Sequence, residues 1–357
     1  MPRPYVGVKA GVPGEAGIPG AERFDAASLA RGYFYTMRIL SGIKPSGEIH
    51  FGNYLGMLKP MIASQSRGEL LCFIANLHSL TTAFDGAQMA IWTRQMAIDI
   101  LALGLDPEKS VFWCQGDVPE VCEFSWYLSN YAPMGLLERC HAYKDKISKG
   151  VSANHGLFSY PVLMAADIIG YGVNRVPVGK DQKQHVEVAR DLVDSFNHLH
   201  GEILVKPEAE IPEDVAVVQG LDGQKMSKSY GNTVGIFADP SLIKKKIMAI
   251  ATDSTPLEAP KDPDSNPVLS WYRQVASAEA SAEMEAKLKA GGYGWGHAKK
   301  ELVQAFLDYF APFRARREEL SHDDAAVHKI LAQGAEKARD LLRPNLNAMR
   351  KAVGVSW

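Results

Sequence analysis

The sequence predicts an α/β fold: a doubly wound parallel sheet followed by an all-helical domain. Three observations predict it. Short, mainly apolar runs recur up to about Gly235, as strands covered on both faces require. Between them lie stretches of helical period, long enough to cross from one parallel strand to the next. Beyond Gly235 the apolar residues recur at helical spacing alone.

The first strand is Arg38–Ser41 (RILS), entering a Gly/Pro/Ser turn. Leu70–Leu77 (LLCFIANL) is a continuous apolar run of the buried parallel kind. Gln88–Gly104 reads as a helix, with Ile91, Ile98, Leu101 and Ala102 at helical spacing and Gly104 at its end. Val111–Gln115 (VFWCQ) is the next strand and Glu120–Asn130 a helix; Val173–Val178 is another strand and Gln182–His198 another helix. This alternation is Rossmann-like. Helices then follow at Ser241–Ala251, Pro267–Ala276, Ser281–Lys289, Ala298–Arg317 and Asp323–Ala352. Within the fourth, Leu302, Ala305, Phe306, Tyr309, Phe310 and Phe313 form one apolar stripe, read as core packing, and Pro312 predicts a kink. The expected organisation is a flexible extension over 1–36, a Rossmann-like domain over 37–235 and a helical domain over 236–357. The last helix is expected to pack back on the first domain.

Composition narrows the function classes. An apolar fraction of 46% and a charged fraction of 22% suit a folded protein. No stretch approaches the roughly 18 apolar residues of a membrane span. Cys72, Cys114, Cys122 and Cys140 contain no C-x-x-C pair, so neither a disulfide scaffold nor a zinc site is expected, and no metal ligand set is assigned. They read as reduced thiols of a cytoplasmic protein. With 39 Lys and Arg against 41 Asp and Glu, the formal charge is −2, which excludes a basic coat but allows a local patch. Residues 1–36 carry four Pro and six Gly and no apolar signal-peptide core, and Met37 reads as a natural start.

Two motifs carry chemistry. Gly42-Ile-Lys-Pro-Ser-Gly-Glu-Ile-His50-Phe-Gly52-Asn53 follows the first strand directly. Gly42 and Gly47 let a ligand approach the backbone, free N–H groups opening the next helix favour an anion, and His50 and Asn53 project as neutral donors. Far downstream, Gly223-Gln-Lys225-Met-Ser-Lys228-Ser-Tyr-Gly231-Asn232 forms a cationic loop able to close on a polyphosphate. Taken singly, each also reads as an ordinary turn or a solvated loop.

Taken together, the motifs resemble the paired signatures of class I aminoacyl-tRNA synthetases. Tyr160-Pro-Val-Leu-Met164-Ala-Ala-Asp167-Ile and Val176-Pro-Val178-Gly179-Lys-Asp181-Gln182 resemble the amino-acid pocket and nucleotide edge of the bacterial tryptophanyl-tRNA synthetase family. The resemblance runs from about Met37 to the C-terminus. It implies activation of L-tryptophan by ATP, with pyrophosphate leaving, and then transfer of tryptophan to tRNA(Trp).

The resemblance also implies roles for individual residues. Lys44, Pro45 and Ser46 border ATP, while His50, Gly52 and Asn53 meet its phosphates and adenosine. Gly179, Lys180 and Asp181 hold the ribose side, and Val217 or Val218 the adenine. Lys225 and Lys228, carried with Met226, Ser227 and Ser229, face the leaving pyrophosphate; with His50 and Asn53 they are the expected catalytic residues. Lys146 matches a third family lysine near the phosphates, and reads equally as an exposed helix lysine. Mg²⁺ travels with the ATP. For tryptophan, Asp167 lies on a largely apolar stretch, and a buried carboxylate is costly unless paired, which suits the indole N–H. Met164, Tyr160, Val176, Val178 and Leu40 form the slot, with Gly42 and Gln182 beside the amino acid. His78 matches a residue near the tryptophan side chain, or is a structural histidine.

Lys44 stands where most bacterial members carry glutamine, and the lead into Lys225 is shortened, as in a second bacterial subgroup. No cysteine follows Cys140, so the iron–sulfur site of some related members is not expected. Residues 297–357 hold 11 Lys and Arg against eight acids, a modest surplus for reading the tRNA anticodon, and Lys244–Lys246 could add phosphate contacts. The family's homodimer is implied likewise. Two alternatives stay open: a tyrosyl-tRNA synthetase, and a non-charging tryptophan-binding paralogue.

Overall fold

The computed structural model describes residues 37–356, apart from 83–84, 141–142, 145–147, 149, 151–153, 180–181 and 211–217. The sheet contains β1 (Arg38–Ile43), β2 (Glu69–Ile74), β3 (Ser110–Cys114), β4 (Arg175–Pro177) and β5 (Glu208–Glu210), in the order β3-β2-β1-β4-β5 and parallel throughout. Side chains alternate across a strand, and here both faces are apolar. Ile39, Ile43, Leu70, Cys72, Ile74 and Phe112 enter one buried cluster. Leu40, Leu71, Phe73, Val111 and Trp113 enter the other.

Helix α1 spans residues 51–64. It opens as Phe51–Asn53, widens to a π-helical stretch at Tyr54–Leu58 and closes as Lys59–Ser64. Pro60 contributes no N–H there, and the wide turn directly precedes it. Next come α2 (Gly86–Ala102), α3 (Glu120–Ser129), α4 (His155–Gly170) and α5 (Lys183–His200). The helical region follows as α6 (Pro240–Met248), α7 (Pro267–Val275), α8 (Ala278–Ala290), α9 (Trp295–Ser321) and α10 (Asp324–Ala352).

The helical region shares the sheet's core. Trp271, Phe306, Phe310 and Val327 continue the cluster of β1 and α1, whereas Ala338, Leu342 and Met349 of α10 belong to the opposite cluster. Helix α10 therefore crosses the sheet at edge strand β3 and covers it, which removes an exposed pairing edge. Gly334 permits this approach: a Cβ there would lie 1.8 Å from the Phe112 carbonyl oxygen.

The predicted strand boundaries shift: Arg38–Ser41 extends to Ile43, Val111–Gln115 moves to Ser110–Cys114, and Leu70–Leu77 and Val173–Val178 contract to Glu69–Ile74 and Arg175–Pro177. Helix α9 runs unbroken through Pro312. Its stripe is buried at Leu302, Phe306 and Phe310 and partly buried at Ala305, Tyr309 and Phe313.

Candidate active site

The strand order reverses between β1 and β4. In open α/β sheets the ligand crevice lies at the carboxyl ends of the strands flanking such a reversal. Two groups of residues converge there.

The first is polar and buried beneath the ends of β2 and β3. Asp167, on α4, is 1% exposed. The short helical turn Asn76–Ser79 after β2 brings His78, whose Nε2 lies 2.8 Å from Asp167 Oδ2. The 3₁₀ turn Gln115–Asp117 after β3 brings Gln115, whose Nε2 donates to both carboxylate oxygens at 2.9 and 2.8 Å. The His78 N–H donates to Gln115 Oε1 at 3.3 Å and the Gly116 N–H to Asn76 Oδ1 at 2.9 Å, so the two turns brace each other. Beside them the Tyr160 hydroxyl and His185 Nε2 are 2.8 Å apart, and burial pushes the Tyr160 phenol up to about 12. The Lys44 ammonium stands 5.9 Å from the Tyr160 ring centre. Leu40 and Val176 are buried in the same apolar cluster, with Met164 and Val178 partly buried against it. Gly42 leaves room for the Phe73 ring, because a Cβ there would lie 2.4 Å from it. Gly179 is exposed, and its carbonyl accepts from the Gln182 N–H at 2.9 Å.

The second group joins the turn after β1 to the lysine loop. Residues 234–236 run antiparallel to 49–51: the Phe51 N–H donates to Val234 O and the Ile236 N–H to Ile49 O. His50 caps α1, its Nδ1 accepting from the Asn53 N–H at 3.2 Å. Burial, assisted by the Lys228 charge, lowers its pKa to about 4. The ring is thus neutral, and since Nδ1 accepts, the proton sits on Nε2 as a donor. Lys228 Nζ donates to the Ser46 carbonyl at 2.7 Å. Burial lowers the Lys228 pKa, and Glu48 partly opposes this. Lys44, Ser46, Gly47, Asn53 and Lys228 line one crevice; Pro45 is buried beside it.

The loop is braced from within. Asn232, 4% exposed, accepts from the Ser227 N–H at 2.8 Å and donates to Asp222 Oδ1 and the Lys225 carbonyl at 2.8 and 3.1 Å. Met226 is buried, the Ser227 and Ser229 hydroxyls meet at 2.8 Å, and Lys225 is exposed.

One expectation is corrected. The N–H groups opening α1 are not free: Phe51 donates to Val234, Gly52 meets Met226 Sδ at 3.0 Å, and Asn53 is taken by His50. The folded lysine loop and the histidine cap supply these partners. Several of the basic residues of 297–357 are engaged within the fold. Lys299, Arg314, Arg317, Arg339 and Arg350 bond the protein itself; Arg350 pairs with Glu123 and Arg317 with Asp99, and Arg314 donates to the Ile236 and Ala238 carbonyls. Lys146, Lys180, Asp181 and Val217 lie outside the described residues. Sequence reasoning missed Gln115, whose one signal was its place at the carboxyl end of a buried strand. Among the described residues no group of three or more His, Cys, Asp or Glu could hold a metal ion.

Comparison with known proteins decides the family. Residues 35–311 match the family model described as tRNA synthetases class I (W and Y). The chain belongs to this family. Within it, the chain is 48% identical to the tryptophan–tRNA ligase of Rhodopirellula baltica over 319 residues, covering 89% of this chain and 100% of the relative. The Campylobacter jejuni tryptophan–tRNA ligase is 46% identical with the same coverage. The crystal structure of tryptophanyl-tRNA synthetase from C. jejuni, complexed with ADP and tryptophan, superposes with a TM-score of 0.86 at 46% identity, covering 89% of this chain and all of that one. This class I synthetase fold is the Rossmann-like sheet with its helical region.

Proposed function

We propose that the chain is a tryptophan–tRNA ligase. It activates L-tryptophan with ATP to tryptophanyl-adenylate and pyrophosphate, then transfers tryptophan to tRNA(Trp). The observation that carries the substrate is the Asp167 carboxylate, withdrawn from water and held by His78 and Gln115 rather than by an arginine. A carboxylate has about four acceptor positions, and the donors present use three. Oδ1 keeps one for the indole N–H. A phenylalanine ring brings no such donor, and a buried polar group left unpaired rejects its ligand strongly. The complex of the C. jejuni enzyme with ADP and tryptophan supports a nucleotide and an amino acid as the ligands.

In the first step a tryptophan carboxylate oxygen attacks the α-phosphorus of ATP, and the bond to the pyrophosphate oxygen breaks. The protein supplies no nucleophile, so its contribution is positioning and charge stabilisation. Lys228 and Lys225 neutralise the leaving pyrophosphate, and the His50 Nε2–H and the Asn53 amide hold phosphate oxygens. Lys44, Ser46, Gly52 and the Gly179 turn fix the nucleotide, and Lys146, Lys180, Asp181 and Val217 belong to the same inferred set. Mg²⁺ arrives on the triphosphate. In the second step a hydroxyl of the terminal tRNA ribose attacks the activated carbonyl and AMP leaves. Residues 236–357 are inferred to read the anticodon with basic side chains such as Lys300, Arg316 and Lys329. A homodimer fits the exposed Trp126 and Met134. No described helix is long and apolar enough to cross a membrane, and a cytoplasmic location fits a reaction feeding translation.

Pyrophosphate exchange with tryptophan and with tyrosine, followed by charging of tRNA(Trp), tests the reading on full-length protein and on protein starting at Met37. Tryptophan-dependent exchange and charging are expected. Exchange with tyrosine instead would replace the substrate, and exchange without charging would replace the ligase.

A further inference from the structure

Asp167 can read a ring N–H only if its carboxylate plane is fixed before the ring arrives. A carboxylate on a single Cβ–Cγ bond is a broad rotor, and its terminal torsion has no sharp preference of its own. His78 reaches Oδ2 alone, and one point of attachment leaves the plane free to turn. Gln115 is the group that spans both oxygens, at 2.9 and 2.8 Å. It is fully buried. Its own orientation is determined, because Oε1 accepts from the His78 N–H and Nε2 must therefore face the carboxylate.

We propose that Gln115 is the positioning residue that sets tryptophan selectivity, by locking the Asp167 carboxylate so that the open acceptor position of Oδ1 faces the indole N–H. This rests on the tryptophan-site reading above. The side chain takes no part in the chemistry and touches neither the α-phosphorus nor the attacking oxygen. Its effect is on which ring the pocket accepts. A loosened carboxylate would still accept a hydrogen bond, but it would first have to be ordered by the ligand. That cost falls on substrates that use the bond and spares those that do not.

The test measures kcat/KM in pyrophosphate exchange for tryptophan and for an analogue whose ring N–H is replaced by sulfur. Gln115→Met keeps the length and removes the donor. Gln115→Asn keeps the amide but withdraws it by one methylene, and serves if the first variant does not fold. Both are expected to lower the tryptophan-to-analogue ratio about tenfold, the size of one hydrogen bond to a charged group, with KM for ATP unchanged. A general loosening of the pocket would lower both substrates together and leave the ratio unmoved. Asp167→Asn is run beside them. A ratio that falls in Asp167→Asn but stays at the parent value in the Gln115 variants overturns this inference alone. A ratio unmoved in Asp167→Asn overturns both the inference and the tryptophan-site reading.

Discussion

Lys228 donates from its ammonium to the Ser46 carbonyl at 2.7 Å, so the lysine loop lies folded against the turn that follows β1. The contact brings together residues far apart in the chain, and both line the same crevice. Burial disfavours the charge there, which a phosphate would restore. Lys228→Ala is expected to slow pyrophosphate exchange by about 10²–10³-fold, the cost of losing one donor to developing charge. Steady-state kinetics should show the loss in kcat, with KM for tryptophan near the parent value.

His50 ties the pH behaviour to this same region. Its pKa falls from 6.5 to about 4 in the folded state, so the unfolded chain binds more protons between those values. The stability that the neutral ring contributes is complete above 6.5 and is lost as pH falls toward 4. Asn keeps an N-cap acceptor and does not titrate. Denaturant unfolding at a series of pH values should therefore show the parent losing stability relative to His50→Asn across that window. Parallel curves would contradict it.

Asn232 holds the lysine loop in shape through Ser227, Asp222 and Lys225. Asn232→Ala is expected to free the loop and to cost about 1–3 kcal/mol for the buried groups left unpaired. Limited trypsin digestion should cut after Lys225 or Lys228 faster than in the parent, with a fall in kcat for exchange.

Gly334 gives a prediction opposite in sign to helix propensity. Alanine would gain about 1 kcal/mol in an unconstrained helix. Here the new methyl would enter the Phe112 carbonyl, and overpacking against backbone costs about 1–3 kcal/mol or more. Gly334→Ala should lower the denaturation midpoint by parting α10 from β3.

Strands β1, β2 and β3 were legible because each is an apolar run bounded by turn residues, and α9 because its stripe keeps one face. Helix α4 was not. It is apolar on nearly every side and carries Pro161 within it, so neither a polar face nor an uninterrupted ladder marks it. Strand β5 is three residues, Glu-Ala-Glu, at a sheet edge, and its polarity hides it. In the site, Asp167 stood out because a lone acid in an apolar stretch demands a partner. Gln115 did not, since a neutral amide at a strand end becomes informative only when the fold shows what it faces. The partners of the first N–H groups of α1 were equally hidden, because they come from residues 226 and 234, joined to the helix only by tertiary packing.

The central claim is most directly tested by a crystal structure of the protein with tryptophan bound. The account predicts the indole nitrogen about 2.7–3.2 Å from an Asp167 oxygen, with Gln115 still bonded to that carboxylate. An indole seated elsewhere, with Asp167 bonded only to His78 and Gln115, would contradict it.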